Sequence, residues 1–324
     1  MSKRILSLQA FRAVGAIAVV IYHCASLGNG FDFHIGASGV DLFFIISGIV
    51  MALSVDESTR AASFAWRRFV RVVPLYWIAT AAAAGVFCLR AGYAPDASNI
   101  IESVLFLPPA SGDRFPLLYP GWSLNYEIAF YALIGAAIPL VRRPLWFAFA
   151  VTLTLGIAGK GVDMPYLQYY CEPKMLEFAL GLLIGMLLIK QDLALGKIAS
   201  AALLVVGMLL LMIHASGKGN PAVDWGLPWA MILASSLAFE SSRAITAKSV
   251  QFLGEASYSI YLSHPFVIWG IEAVTQARGA AISVAAVVLC VLFGAVVYVF
   301  VESPMLTSLH KIQALIESPR RARP

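Results

Sequence analysis

The chain has 324 residues, of which 60% are hydrophobic and 13% carry a charge, and its net charge is +5. A soluble globular protein is nearer half apolar and a quarter charged, so this composition excludes an ordinary soluble domain and predicts a protein that crosses a membrane several times. The basic residues lie in short loops between apolar segments, which favours membrane orientation over nucleic-acid binding, and the four scattered cysteines predict neither a metal site nor a disulfide framework.

Ten apolar segments are long enough, or nearly so, to cross a hydrocarbon core of about 30 Å as helices. They are residues 5–27, 39–55, 69–89, 121–141, 144–159, 174–190, 197–214, 223–239, 252–273 and 280–302. With the N-terminus inside, sixteen Lys and Arg residues fall in inner loops and six in outer loops, and Arg12 lies within the first segment. This asymmetry predicts an all-α transmembrane bundle of about ten spans with both termini in the cytoplasm.

The chain is predicted to form one transmembrane domain over residues 1–304, followed by a cytoplasmic tail over residues 305–324. In the tail, apolar residues recur at helical spacing from Met305 to Ile316, and three arginines follow them. Such a pattern is typical of an amphipathic helix on an anionic membrane surface.

The first span carries Arg12 and His23, whose eleven-residue spacing puts both on one helical face. The rise between them is roughly 16 Å, and the stripe between them holds the small residues Gly15 and Ala16, which suit a thin ligand or a close helix. Two costly polar groups on one face predict a polar cavity, although a lone His23 could also be structural. A neutral imidazole with a pKa of about 6.5 suits removal of a hydroxyl proton as a general base.

Asp41 begins the second span on the same side of the membrane as His23. Ser38-x-x-Asp41 fits a capping box, so Asp41 could satisfy helix N-terminal amides. It could equally orient a protonated His23. The two roles are compatible, and the sequence leaves both open.

Three arginines, Arg67, Arg68 and Arg71, precede the apolar part of the third span at its inner end. They mark orientation in any reading, but their three- and four-residue spacing also suits bidentate binding of phosphate.

The fourth span opens from outside with Trp122, Tyr126 and Glu127. The two aromatic residues suit the membrane interface, whereas a carboxylate roughly two turns into a span needs a partner or a function.

The ninth span places Ser257, Tyr261 and His264 on one face, which predicts a cavity lining, and Pro265 predicts a kink there. Two further carboxylates, Glu177 and Glu302, are interpreted as structural.

Together these residues resemble the acyltransferase-3 superfamily of membrane acyltransferases, and within it the exopolysaccharide O-acetyltransferases of the succinoglycan type. The resemblance spreads over residues 5–304. It is carried, in chain order, by Arg12 with His23, Gly39–Phe44 with Ser47-Gly48, Arg67–Arg71 with Pro74–Trp77, Trp122–Leu124 with Glu127, and Gly254-Glu255 with Ser257–Pro265.

The resemblance implies O-acylation of a bacterial glycan in the inner membrane, with acetyl-CoA as donor and with membrane lipid and a polysaccharide or lipid-linked oligosaccharide as partners. In this reading Arg67, Arg68 and Arg71 bind the CoA phosphates, and the pantetheine arm passes along the small-residue stripe beyond Arg12. His23 is the general base. Asp41 or Glu127 supports it, Arg12 or Tyr261 stabilises the oxyanion, and the acceptor is bound by Trp122, Tyr126, Tyr261 and His264.

Two alternatives remain open on the sequence alone. A transporter or flippase for a lipid-linked glycan could use the same polar residues as its pathway, without acyl transfer or CoA binding. An acyltransferase could also act on a small-molecule acceptor.

Overall fold

The computed structural model describes residues 5–28, 32–92, 94–109, 115–159, 164–189 and 195–321, and every regular element in these ranges is helical. Several basic residues that the orientation argument counts, among them Arg4, Arg114 and Lys190, lie outside the described residues. The α-helices are α1 Leu6–Ala25, α2 Gly39–Ser54, α3 Ala61–Ala91, α4 Ala97–Val104, α5 Gly121–Leu140, α6 Pro144–Ala158, α7 Pro165–Tyr170, α8 Lys174–Leu183, α9 Lys197–Ile213, α10 Leu227–Ser236, α11 Arg243–Thr246, α12 Lys248–Glu255, α13 Ser257–Val274, α14 Ala280–Val297 and α15 Ser303–Arg321.

Within the described ranges, six helical segments are long and apolar enough to cross a membrane. They are Leu6–Ala25, His34–Ser54, Ala61–Ala91, Gly121–Leu140, Ala222–Phe239 and Ala280–Gln313. The all-helical, multi-pass prediction is therefore confirmed. Helices α6 and α9 are apolar but shorter, and α8 and α13 also fall outside the set, so the number of ten spans stays a prediction.

Helix α2 lies at the centre of the bundle because glycines let two neighbours approach it closely. A Cβ added to Gly39 would overlap the backbone oxygen of Gly15 in α1, and one added to Gly48 would overlap that of Phe178 in α8. Small residues at such contacts are the usual way in which helices pack inside a membrane. On the same side, the rings of Phe44, Phe130 and Phe178 bring α2, α5 and α8 together, with centroids 4.7 and 4.4 Å apart.

One local expectation, the capping box at Ser38, is wrong, and the predicted ninth span is divided into two helices. Ser38 makes no side-chain cap on α2; its hydroxyl donates to the Ile35 carbonyl and accepts from the Trp229 indole. The ninth span is interrupted at Ala256, between α12 and α13, whereas Pro265 lies inside α13.

The C-terminal tail continues the last span. Helix α14, a π-helical turn over Tyr298–Glu302 and α15 follow one another directly, so the predicted boundary at residue 304 falls inside a continuous helix.

The close approach at Gly48 gives a stability prediction. We expect Gly48→Ala to lower the free energy of unfolding by about 1–3 kcal/mol, because the methyl group would force α2 and α8 apart. Gly85→Ala in α3 is the matched control, since a Cβ there meets no atom within 4 Å. Thermal unfolding of the two purified variants in detergent measures the difference. Equal Tm values would contradict the proposed packing.

Candidate functional site

A narrow cavity of about 90 Å³ lies between α1, α2, α3, α5 and α13. We call it the central cavity. Its lining is apolar on the α2 side, with Val40, Phe43, Phe44, Ile46 and Val50. The polar lining consists of Arg12, Ser47, Arg68, Arg71, Ser123, Glu127, Tyr131, Ser257, Tyr258 and Tyr261. Five helices distant in sequence thus place polar groups around one space, as intramembrane ionisable residues require.

Glu127 is held on the wall of the central cavity by two hydroxyl groups. Ser47 Oγ donates to Glu127 Oε1 over 2.9 Å, and the Tyr131 hydroxyl donates to the same oxygen. Arg12 interacts electrostatically with this carboxylate. The structure thus groups Glu127 with Arg12, and none of its described contacts reaches His23, which it was predicted to support.

Arg71 forms the closest ion pair at the cavity. Its Nη1 lies 2.5 Å from Glu302 Oε1, and Ser259 Oγ donates to Glu302 Oε2 over 2.6 Å. The guanidinium also lies over the ring of Tyr258, 5.5 Å from its centroid. Glu302 is fully buried, and the sequence did not predict its pairing with Arg71. Periodicity could not reveal this pair, because 231 residues separate its members.

Arg68 is the second of the three predicted inner arginines at the cavity. Its guanidinium lies over the rings of Phe64 and Tyr131, at 5.8 and 5.7 Å. Arg67 is not among the residues that line the cavity.

His23 and His264 form a second polar centre beyond the cavity, with ring centroids 4.9 Å apart. His23 Nδ1 lies 3.0 Å from the Val19 carbonyl and His264 Nδ1 lies 2.7 Å from the Tyr261 carbonyl. A carbonyl can only accept, so both Nδ1 atoms are assigned the proton, and in its neutral form each ring presents Nε2 as an acceptor. His264 Nε2 lies 2.9 Å from the Tyr119 hydroxyl, a residue to which the sequence assigned no role of its own.

Tyr261 stands between the two centres. Its hydroxyl donates to the Pro120 carbonyl over 3.1 Å and lies 2.8 Å from Ser123 Oγ. Its ring packs edge-on against Phe43, and both residues line the central cavity. Tyr261 and His264 therefore share the predicted face of α13, but only Tyr261 borders the cavity.

The small-residue stripe between Arg12 and His23 is occupied by a helix, which corrects one expectation. Gly15 packs against Gly39 of α2, and Ala16 and Val19 are buried in helix contacts. Of the two readings of the stripe, the close helix is the one observed. This close contact leaves no room for a pantetheine arm between Gly15 and Gly39, and the central cavity is a separate space.

Asp41 points toward α8 instead of toward His23. It is 2% exposed and interacts with the fully buried Glu177 and with Lys174. No donor in the described part of the chain reaches Asp41 Oδ1 or either carboxylate oxygen of Glu177. Asp41 therefore does not contact His23, which it was predicted to orient. The sequence also did not predict that Glu177 lies beside Asp41.

Trp122 and Tyr126 lie in an aromatic cluster at the start of α5. Tyr126 stacks on Tyr169 at 4.8 Å and donates its hydroxyl to the Tyr169 carbonyl over 2.8 Å. The Lys174 ammonium lies over the Trp122 ring at 5.4 Å. Trp122 and Tyr126 thus flank Ser123, whose hydroxyl contacts Tyr261, and lie near in sequence to Tyr119, which contacts both histidines.

Comparison with known proteins identifies relatives along almost the whole chain. Residues 5–301 match the family model described as "Acyltransferase domain". The chain is 34% identical to the exopolysaccharide production protein ExoZ of Rhizobium meliloti (strain 1021), over 89% of this chain and 94% of that protein. It is 24% identical to the acyltransferase MdmB of Streptomyces mycarofaciens, over 98% and 95% of the two chains. No solved structure was found to match it.

The ion pair at the cavity yields a stability prediction. Arg71→Ala should lower the free energy of unfolding by about 3 kcal/mol, because it leaves the Glu302 carboxylate buried without its cation. Adding Glu302→Gln should restore most of the loss, since an amide needs no counter-charge and can still accept from Ser259. Arg142→Ala, at an exposed arginine, is the control. Thermal unfolding of the variants measures the difference. If the single and double variants are equally destabilised, the ion pair with Glu302 does not account for the effect of Arg71→Ala.

Proposed function

The chain belongs to the acyltransferase family whose domain model it matches, which makes it an enzyme that transfers acyl groups, and we propose that it moves an acetyl group from acetyl-CoA to a glycan hydroxyl. The acceptor is a bacterial exopolysaccharide or its lipid-linked precursor, as the name of the relative ExoZ supports. Family membership weighs against a transporter or flippase built on the same polar residues.

The enzyme lies in the bacterial inner membrane as a bundle of about ten spans with both termini in the cytoplasm. The excess of basic residues in the predicted inner loops supports this orientation. It places Arg68 and Arg71 toward the cytoplasm, where CoA is found, and His23 and His264 toward the opposite side.

The observation that carries the proposal is the arrangement of two polar centres along one path. The central cavity has three arginines, Arg12, Arg68 and Arg71, against the two carboxylates Glu127 and Glu302, and so has a surplus of one positive charge. A polyanionic donor such as CoA offsets that surplus through charge-assisted contacts. Tyr261 and Phe43 separate the cavity from the histidine centre, so the thioester reaches His23 when these rings turn aside.

His23 acts as the general base in direct transfer. Its Nε2 takes the proton of the acceptor hydroxyl, the oxygen attacks the thioester carbon, the C–S bond breaks, and the CoA sulfur leaves as a thiolate that is then protonated. Arg12 lies roughly 16 Å along α1 from His23, so it serves the donor path and not the oxyanion. Tyr261 lies nearer, and a turn of its hydroxyl away from Pro120 would supply the oxyanion donor.

The first prediction tests the base. We expect purified His23→Ala to remain folded and to bind acetyl-CoA, yet to transfer radiolabelled acetyl to glycan at least 10²-fold more slowly than wild type. His310→Ala, at an exposed histidine of α15, is the control. Full activity in His23→Ala would remove His23 from the mechanism. Stable acetyl label on wild-type enzyme without acceptor would replace direct transfer by an acetyl-enzyme.

The second prediction tests the donor site. Arg68→Ala should raise the KM for acetyl-CoA about tenfold with little change in the KM for glycan, since a charged contact to phosphate contributes about 1.5–3 kcal/mol. Arg68 is preferred to Arg71 because its removal leaves no ion-pair partner buried. Arg142→Ala again serves as the control. An unchanged KM for acetyl-CoA would show that Arg68 marks orientation only.

A further inference from the structure

Tyr119 lies at the histidine centre although it belongs to neither histidine-bearing helix. It sits in the segment just before Pro120 and α5, and its ring centroid is 5.1 Å from that of His23 and 5.6 Å from that of His264. The ring is half-buried. Tyr119 is thus the residue through which the start of α5 reaches both imidazoles.

The Tyr119 hydroxyl donates its single proton to His264. His264 donates its Nδ1 proton to the Tyr261 carbonyl, so its Nε2 can only accept, and the hydroxyl at 2.9 Å must be the donor. Burial raises the pKa of the Tyr119 phenol, which keeps that proton in place. His264 is fully buried, so leaving its Nε2 without a donor would be costly.

The half-buried Tyr119 therefore presents its hydroxyl oxygen beside His23 as a hydrogen-bond acceptor. Its oxygen retains lone pairs after donating to His264, and the neighbouring His23 Nε2 is an acceptor as well, because its Nδ1 proton goes to Val19. Two adjacent acceptors match a ligand that brings two hydroxyl protons.

We propose that Tyr119 binds a second hydroxyl of the sugar whose first hydroxyl is deprotonated by His23, so that the acceptor is a sugar with two neighbouring free hydroxyls. This inference rests on the proposed function, in which His23 is the base. Tyr119 then selects which hydroxyl faces His23, because the anchored hydroxyl fixes the orientation of the ring.

The experiment uses methyl β-D-glucopyranoside and its four monodeoxy analogues as acceptors for the full-length protein. In wild type, loss of the acetylated hydroxyl abolishes transfer, and loss of one other hydroxyl should lower kcat/KM about tenfold. In Tyr119→Phe, loss of that second hydroxyl should change kcat/KM by less than about twofold, since its partner oxygen is gone. Tyr22→Phe is the matched control: its ring also lies against His23, at 5.0 Å, and it should keep the tenfold preference.

Two results would overturn the inference: a tenfold preference that survives in Tyr119→Phe, or a wild type indifferent to every hydroxyl except the acetylated one. Equilibrium binding of the same glycosides, followed by saturation-transfer NMR, separates this inference from the proposed function. If wild type binds the glycosides and Tyr119→Phe loses the selectivity while no acetyl is transferred, the binding role of Tyr119 is supported and the proposed transfer is wrong. If no glycoside binds to wild type, Tyr119 is not an acceptor-binding residue.

Discussion

The structure depends on placing charged side chains inside an apolar bundle. Arg12, Arg68 and Arg71 share the central cavity with Glu127, and Glu302 lies behind Arg71. Each of these groups is costly to bury alone, and each carboxylate is therefore held by hydroxyl donors as well as by arginines. The arginines outnumber the carboxylates by one. Under the proposed function, the anionic donor offsets this surplus of positive charge.

The glycines of α2 decide where that cavity can be. Gly39 and Gly48 bring α1 and α8 into close contact with α2. Polar residues of α3, α5 and α13 line the cavity together with Arg12 of α1. Small residues at helical spacing are compatible with a groove and with a close helix contact alike, since both need the absence of bulk. The stripe on α1 was therefore ambiguous in sequence, and only the position of α2 resolves it.

The sequence predicted the features that depend on neighbouring residues. The length of the apolar segments predicted the helices, and the spacing of three and four residues predicted that Arg68 and Arg71 share one face of α3, which lies beside the cavity. Pairing across the bundle has no such signature. Three pairs show this: Ser47 with Glu127, Asp41 with Glu177, and Arg71 with Glu302. Their members lie 80 to 231 positions apart, on helices whose rotation the sequence does not define. The sequence therefore could not show the partners of Glu177 and Glu302, which it led us to interpret as structural. The break at Ala256, which the apolar length of the ninth segment did not indicate, shows a similar limit.

Helix α13 connects the two polar centres. Tyr258 packs under Arg71 and donates to the Val72 carbonyl, Tyr261 lines the cavity one turn further on, and His264 follows with Tyr119 bound to it. These side chains lie three residues apart on one helix, so a displacement of α13 at the arginine end is carried to the histidine end by rigid backbone. Under the proposed function, an anionic donor that contacts Arg71 would act beside the helix that holds Tyr261 against Pro120, and this helix would couple the two centres.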